Sequence, residues 1–383
     1  MKSSIESNTE STASSASLHP GLAPNIQPFV ENGLIAGAVL LAATKDRVLS
    51  LEAVGYSDLA TKKPMTPDAL FWIAFMTKPM TGTALMMLVD EGEVSVDDPV
   101  EKYLPEFKGQ MIVAEKDDEH VLLKKPQHPI LVREILNHTS GMVHFSPIET
   151  PTFDRFDLQD ATHSYAMTSL QFEPGTKYSY SNTGTNTVGR IIEVVSGMPY
   201  EVFMDRRLFG PLGMDNTTFW PSEEQLRRLV KIYRTKEDKT GLEEAKLALL
   251  SYPFSNPMRK PMPAGGLFST AGDVVKLCQM VLNGGVYEGR RYLSETSVKQ
   301  MTSKQTGDLV ENYYGFGWDA SNGKFGHGGA YKTNMTIDPK LGLITVFLIQ
   351  HTNDWPNEEG HKIHPVFTAA AEKVLAEQAR QSS

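Results

Sequence analysis

Apolar residues gather in strand-like runs at both ends of the chain and in helix-like runs between them. Residues 34–43 and 48–54 read as two strands around Thr44-Lys45-Asp46-Arg47, a hairpin of a buried sheet. Residues 316–318, 324–327, 332–338 and 343–349 read as strands near the other end, with Leu341-Gly342 as a turn. Residues 24–32 predict a short helix ending at Gly33, and residues 364–377 an amphipathic terminal helix. Residues 131–136, 183–195, 200–208, 222–230 and 272–282 are also helical in pattern, and residues 93–260 carry little strand pattern.

This order, strands then helices then strands, predicts an α+β fold. The two strand-rich ends build one antiparallel sheet flanked by the terminal helices, and the middle builds an all-helical lobe. The expected division is a tail over residues 1–20, a discontinuous sheet domain over 21–70 and 261–383, and a helical domain over 71–260. The tail is rich in Ser and Thr and has too few large apolar residues to bury a core. Residues 81–89 include Ala84, Leu85, Met86, Met87, Leu88 and Val89, apolar on nearly every side, so this helix is expected to be buried all round. Pro79 has no N–H to give and fits the first turn, which places Phe75 at or just before the helix start.

Composition narrows the function. Of 383 residues, 37 are basic and 46 acidic, for a net charge of −9, which disfavours binding to nucleic acid through phosphate neutralisation. No apolar run approaches the roughly 20 residues of a membrane span. No apolar leader precedes the folded region, so the expected location is cytoplasmic. The single cysteine, Cys278, permits no intrachain disulfide and reads as a small buried apolar residue. The histidines show no clean metal-ligand spacing, so neither a metal nor a cofactor is expected.

Three segments carry candidate chemistry: Phe75-Met76-Thr77-Lys78 at the buried helix, Tyr178-Ser179-Tyr180-Ser181-Asn182, and Phe325-Gly326-His327-Gly328-Gly329-Ala330 on a late strand. Residues three apart on a helix share a face, so position 75 and Lys78 are neighbours. Asn182 also suits a helix cap ahead of residue 183.

Together these segments resemble the signatures of the serine β-lactamase and penicillin-binding-protein superfamily: Ser-x-x-Lys, Tyr-x-Asn and Lys/His-x-Gly on an edge strand. The flanking Leu136-Asn137-His138-Thr139-Ser140-Gly141 and Tyr314-Gly315-Phe316-Gly317-Trp318 resemble the branch holding class C β-lactamases and family VIII-type esterases. The resemblance runs from about residue 24 to 378. It implies Lys78 and Tyr180 as the acid–base pair, with Asn182, His327, Gly328 and Gly329 as substrate-binding residues. It further implies acyl transfer on a small ester, amide or lactam.

The family's nucleophilic serine falls at Phe75, and a phenyl ring has no oxygen with which to form an acyl-enzyme. Thr77, Ser181 and Ser140 are the nearest hydroxyls, each offset from the required position. Three readings follow: a hydrolase scaffold with its nucleophile substituted, a ligand-binding pseudoenzyme, or a non-covalent acid–base enzyme using Lys78 and Tyr180.

Overall fold

A computed structural model describes residues 21–308 and 310–381. The expected tail over residues 1–20 lies outside the described residues. Six strands form an antiparallel sheet in the order Phe325–Gly328, Asn334–Asp338, Leu343–Leu348, Gly37–Ala43, Val48–Asp58 and Lys63–Pro64. The two ends of the chain thus meet in one sheet, Leu41 standing opposite Val346 on one side and Leu51 on the other.

All seven residues of Gly37–Ala43 are buried. Such a strand needs both faces covered, which is why its sequence is a continuous apolar run rather than an alternation. On one face Ala38, Leu40, Ala42 and Phe347 pack with Ile26 of helix Ala23–Glu31 and with Ile363, Phe367 and Ala371 of helix Glu359–Gln381. On the other, Val39, Leu41, Val346 and Leu348 join the main core with Leu277 and Cys278 of helix Ala271–Leu282.

Helix Thr77–Asp90 runs through this core, with every residue from Thr77 to Leu88 buried. Its apolar composition on all sides has that physical cause. Gly82 is required by close packing: a Cβ there would lie 2.6 Å from the carbonyl oxygen of Phe316.

The helical region carries helices Val132–Leu136, Leu158–Ala166 and Asn182–Ser196. It also carries two short hairpins that the hydrophobic pattern did not predict. Ile112–Lys116 pairs with Val121–Lys124, and Ile232–Thr235 pairs with Leu242–Ala245 and in parallel with His351–Thr352. Residues 316–318, expected as a strand, form an irregular loop instead. Gly317 has φ +83° and its amide donates to the carbonyl of Leu136, so tight packing against Gly82 overrides the local apolar pattern.

Among the described residues, no helix is long and apolar enough to cross a membrane. No group of three or more His, Cys, Asp or Glu among them is arranged to hold a metal.

Candidate functional site

The short strand Phe71–Trp72 pairs with Phe268–Ser269 and leads into a tight turn, Ala74–Met76, that opens the buried helix. Ala74 has φ +46°, a strained conformation for a residue with a Cβ. The turn is pinned by the Thr77 hydroxyl, which donates to Ala74 O at 2.6 Å and accepts from the amide of Leu267 at 3.3 Å. This aims the Phe75 side chain toward Gly265, where a Cβ would come within 3.1 Å of the ring.

One turn further, Lys78 is fully buried. Its Nζ donates to Asn182 Oδ1 at 2.6 Å and to Ala264 O at 2.9 Å. It lies 4.1 Å from the centroid of the Phe75 ring and 4.5 Å from that of Tyr180. The geometry would suit a cation over two rings. Burial nevertheless pushes the ammonium well below its ordinary 10.5, and no carboxylate is bonded to it to restore the charge. Burial therefore favours the neutral amine at Lys78, two of whose N–H groups are taken by Asn182 and Ala264 while the Phe75 ring covers a third side.

Asn182 is the first residue of its helix, while the capping expected of it is done by Ser181, whose Oγ accepts from Gly184 N at 3.0 Å. That frees the Asn182 amide to bridge Lys78 and His144 Nε2, the latter at 3.5 Å. His144 Nδ1 lies 2.8 Å from the carbonyl of Tyr180, tying the two segments together.

Tyr180 meets the edge of Phe75 at a centroid distance of 5.9 Å. Its hydroxyl lies 3.5 Å from Nε2 of His327, and burial raises its pKa well above 10. His327 sits on the sheet's edge strand opposite Met335. Its Nδ1 lies 2.7 Å from the carbonyl of Gly328, so the proton belongs on Nδ1 and Nε2 accepts. The closer donor to Nε2 is Tyr314, at 3.0 Å. Burial pushes His327 down to about 4, keeping the ring neutral near pH 7.

The structure thus brings Phe75, Lys78, Tyr180, Asn182 and His327 into one cluster between sheet edge and helical region. Gly329 abuts it: a Cβ there would lie 2.5 Å from the carbonyl oxygen of Ile73 and 2.0 Å from Thr333 Oγ1, so the chain's own packing demands glycine. Gly328 is exposed and meets no such clash.

The alternative hydroxyls are all engaged elsewhere. Thr77 pins the turn, Ser181 caps its helix and donates to Val143 O at 3.0 Å, and buried Ser140 accepts from the amide of Met142 at 3.3 Å.

Sequence reasoning assigned no role to His138, His144 or Tyr314. His138, at φ +64°, packs at a tilt against Tyr180 and Tyr314, with ring centroids 4.5 Å and 4.7 Å away. His138 and Tyr314 lie in the two flanking segments already singled out, which was the available signal; His144 had none.

A family model described as Beta-lactamase matches residues 22–368. Protein Rv1367c of Mycobacterium tuberculosis (strain ATCC 25618 / H37Rv) is 30% identical, covering 86% of this chain and 89% of its own. Esterase EstB of Burkholderia gladioli is 27% identical, covering 82% of this chain and 86% of its own. The solved structure of EstCE1, a hydrolase with promiscuous acyltransferase activity, matches with a TM-score of 0.76 at 23% identity, covering 91% of this chain and 97% of that one. That likeness concerns the fold. With the model match spanning nearly the whole described chain, and a relative at this identity over most of its length, this protein belongs to the beta-lactamase family.

Proposed function

We propose that this chain is an acyl-transfer hydrolase scaffold whose nucleophile seat is filled by Phe75. In this reading the cleft binds a small ester, amide or lactam and forms no acyl-enzyme. Lys78 and Tyr180 are the inherited acid–base pair. Asn182, His327, Gly328 and Gly329 are the inherited substrate-binding residues.

The observation that carries the reading is the Lys78 amine, 4.1 Å from the centre of the Phe75 ring and hydrogen-bonded to Asn182. Burial lowers the pKa of this amine, toward the neutral state a general base requires. Here its lone pair meets carbon where a hydroxyl would have to stand. Loss of a nucleophile costs on the order of 10⁶ in rate in a dissected serine protease, enough to remove practical turnover. The engagement of Thr77, Ser181 and Ser140 in local hydrogen bonds supports the absence of a substitute. Lys78 is also fully covered, which gives no support to direct proton abstraction from a substrate in the cleft.

The test is Phe75→Ser, compared with the natural chain on a short nitrophenyl ester and on nitrocefin, with a fluorophosphonate probe as the second readout. The variant is expected to hydrolyse at least one substrate and to label at the introduced serine, while the natural chain does neither. A folded variant that neither turns over nor labels would overturn the reading, as would turnover by the natural chain that Lys78→Ala abolishes.

A further inference from the structure

Outside the cluster around Lys78, strands Ile112–Lys116 and Val121–Lys124 form a two-stranded ribbon. Its turn is set by Asp117, whose carboxylate accepts the amides of Glu119 at 2.8 Å and His120 at 2.7 Å. The inner strand is tethered at its base, where Val113 N donates to Leu170 O at 2.9 Å. Among the described residues no second strand pairs with the outer strand, Val121–Lys124.

That outer strand carries three successive large apolar residues in water: Val121 is 51% exposed, Leu122 57% and Leu123 40%. An isolated two-stranded ribbon is marginal in stability, and a bare apolar edge is a template for a further strand. The residues on either side carry opposite charge. Asp117, Asp118 and Glu119 precede the strand, Lys124 and Lys125 close it, and Pro126, lacking an N–H, ends it. Neither Glu119 nor Lys125 forms an ion pair among the described residues.

We propose that a second copy of this chain docks here, its Val121–Lys124 strand pairing antiparallel with this one and Leu122 facing Leu122 across a two-fold axis. In that register Val121 stands opposite Leu123 of the second copy, and the acidic turn carrying Glu119 comes beside its Lys125, twice over by symmetry. Parallel pairing would instead set acid against acid and lysine against lysine, which is destabilising. The antiparallel arrangement makes one four-stranded sheet and covers the exposed apolar residues of both copies. The strand offers four residues a side where a standard interface uses roughly 20–30, so association is weak and concentration-dependent.

Sedimentation velocity on the full chain over a concentration series tests this. A reversible dimer is expected, weakened by high salt because the end pairs are exposed. Leu122→Lys should leave a monomer with unchanged circular dichroism. Glu119→Lys and Lys125→Glu should each be monomeric alone, because each sets like charges opposite one another. Mixed in equal amounts they should associate, since the mixture restores both opposite-charge pairs. A natural chain that stays monomeric throughout overturns the proposal. So does a dimer that survives Leu122→Lys, or a mixture that fails to associate.

Discussion

The Nζ of Lys78 lies 4.1 Å from the centroid of the Phe75 ring, and burial holds its pKa well below 10.5. Unfolded, the amine titrates near that ordinary value, so between the lowered folded pKa and 10.5 the unfolded chain binds a proton that the folded chain does not. Stability therefore rises with pH toward 10.5, with a Lys78 contribution approaching about 1.4 kcal/mol per pH unit. Urea unfolding over the pH range just below 10.5 is expected to show a steeper rise for the natural chain than for Lys78→Met. Equal slopes would mean that the folded chain keeps the ammonium charged.

Tyr314 donates to the Nε2 of His327 and leaves the Tyr180 hydroxyl as the more distant donor, at 3.0 Å against 3.5 Å. Nitrogen NMR on the natural chain is expected to find His327 protonated on Nδ1. Tyr314→Phe removes the nearer donor and lets Tyr180 close on Nε2. In a Phe75→Ser background this should lower kcat several-fold, in line with the ~1 kcal/mol of one neutral hydrogen bond, and leave KM near its value. An Nε2-protonated ring would refute the assignment whether or not the serine variant is active.

Acid should unfold the protein partly through His327. Its folded pKa is pushed down to about 4 from 6.5, and that of His138 is lowered as well. For His327 this stability is full above 6.5 and falls as pH drops toward about 4, because the unfolded chain takes the proton first; His138 acts in the same direction. His327 alone accounts for about 3 kcal/mol over that window. Denaturation midpoints between pH 7 and 4 should fall less in His327→Gln; an unchanged acid limb would count against the buried neutral ring.

Away from the site, Arg259 and Asp154 form a buried ion pair at 2.6 Å, with side chains 3% and 0% exposed. The guanidinium also donates to the carbonyls of Phe219 and Phe254, joining a residue of the main core to one of the cluster that holds Trp72. Asp154→Ala strands a buried cation and should cost about 3–5 kcal/mol, whereas Asp154→Ala with Arg259→Met should recover much of it. Thermal unfolding of the three chains checks this, and a single variant as stable as the double would contradict it.

The sheet and the buried helix were legible because burial on both faces demands long apolar runs, and residues 34–43 and 81–89 have little other explanation. The ribbon at Val121–Lys124 was not, since all four of its residues are exposed and lack the alternation that marks a half-buried strand. Residues 316–318 misled in the opposite direction. Their apolar character serves packing against Gly82, and the positive φ of Gly317 breaks the strand.

At the candidate site, local sequence determined the chemical inventory: an amine at 78, phenols at 178 and 180, an amide at 182, an imidazole at 327 and no hydroxyl at 75. It could not determine which of these groups bond to which, because the partners lie up to 186 residues apart, as from Lys78 to Ala264. Tertiary structure alone decided that Asn182 turns to Lys78, that His144 braces Asn182, and that Tyr314 takes the nearer place at His327. Covalent neighbours constrain a residue's conformation, but hydrogen-bond partners and dielectric surroundings arise only when distant segments close around it.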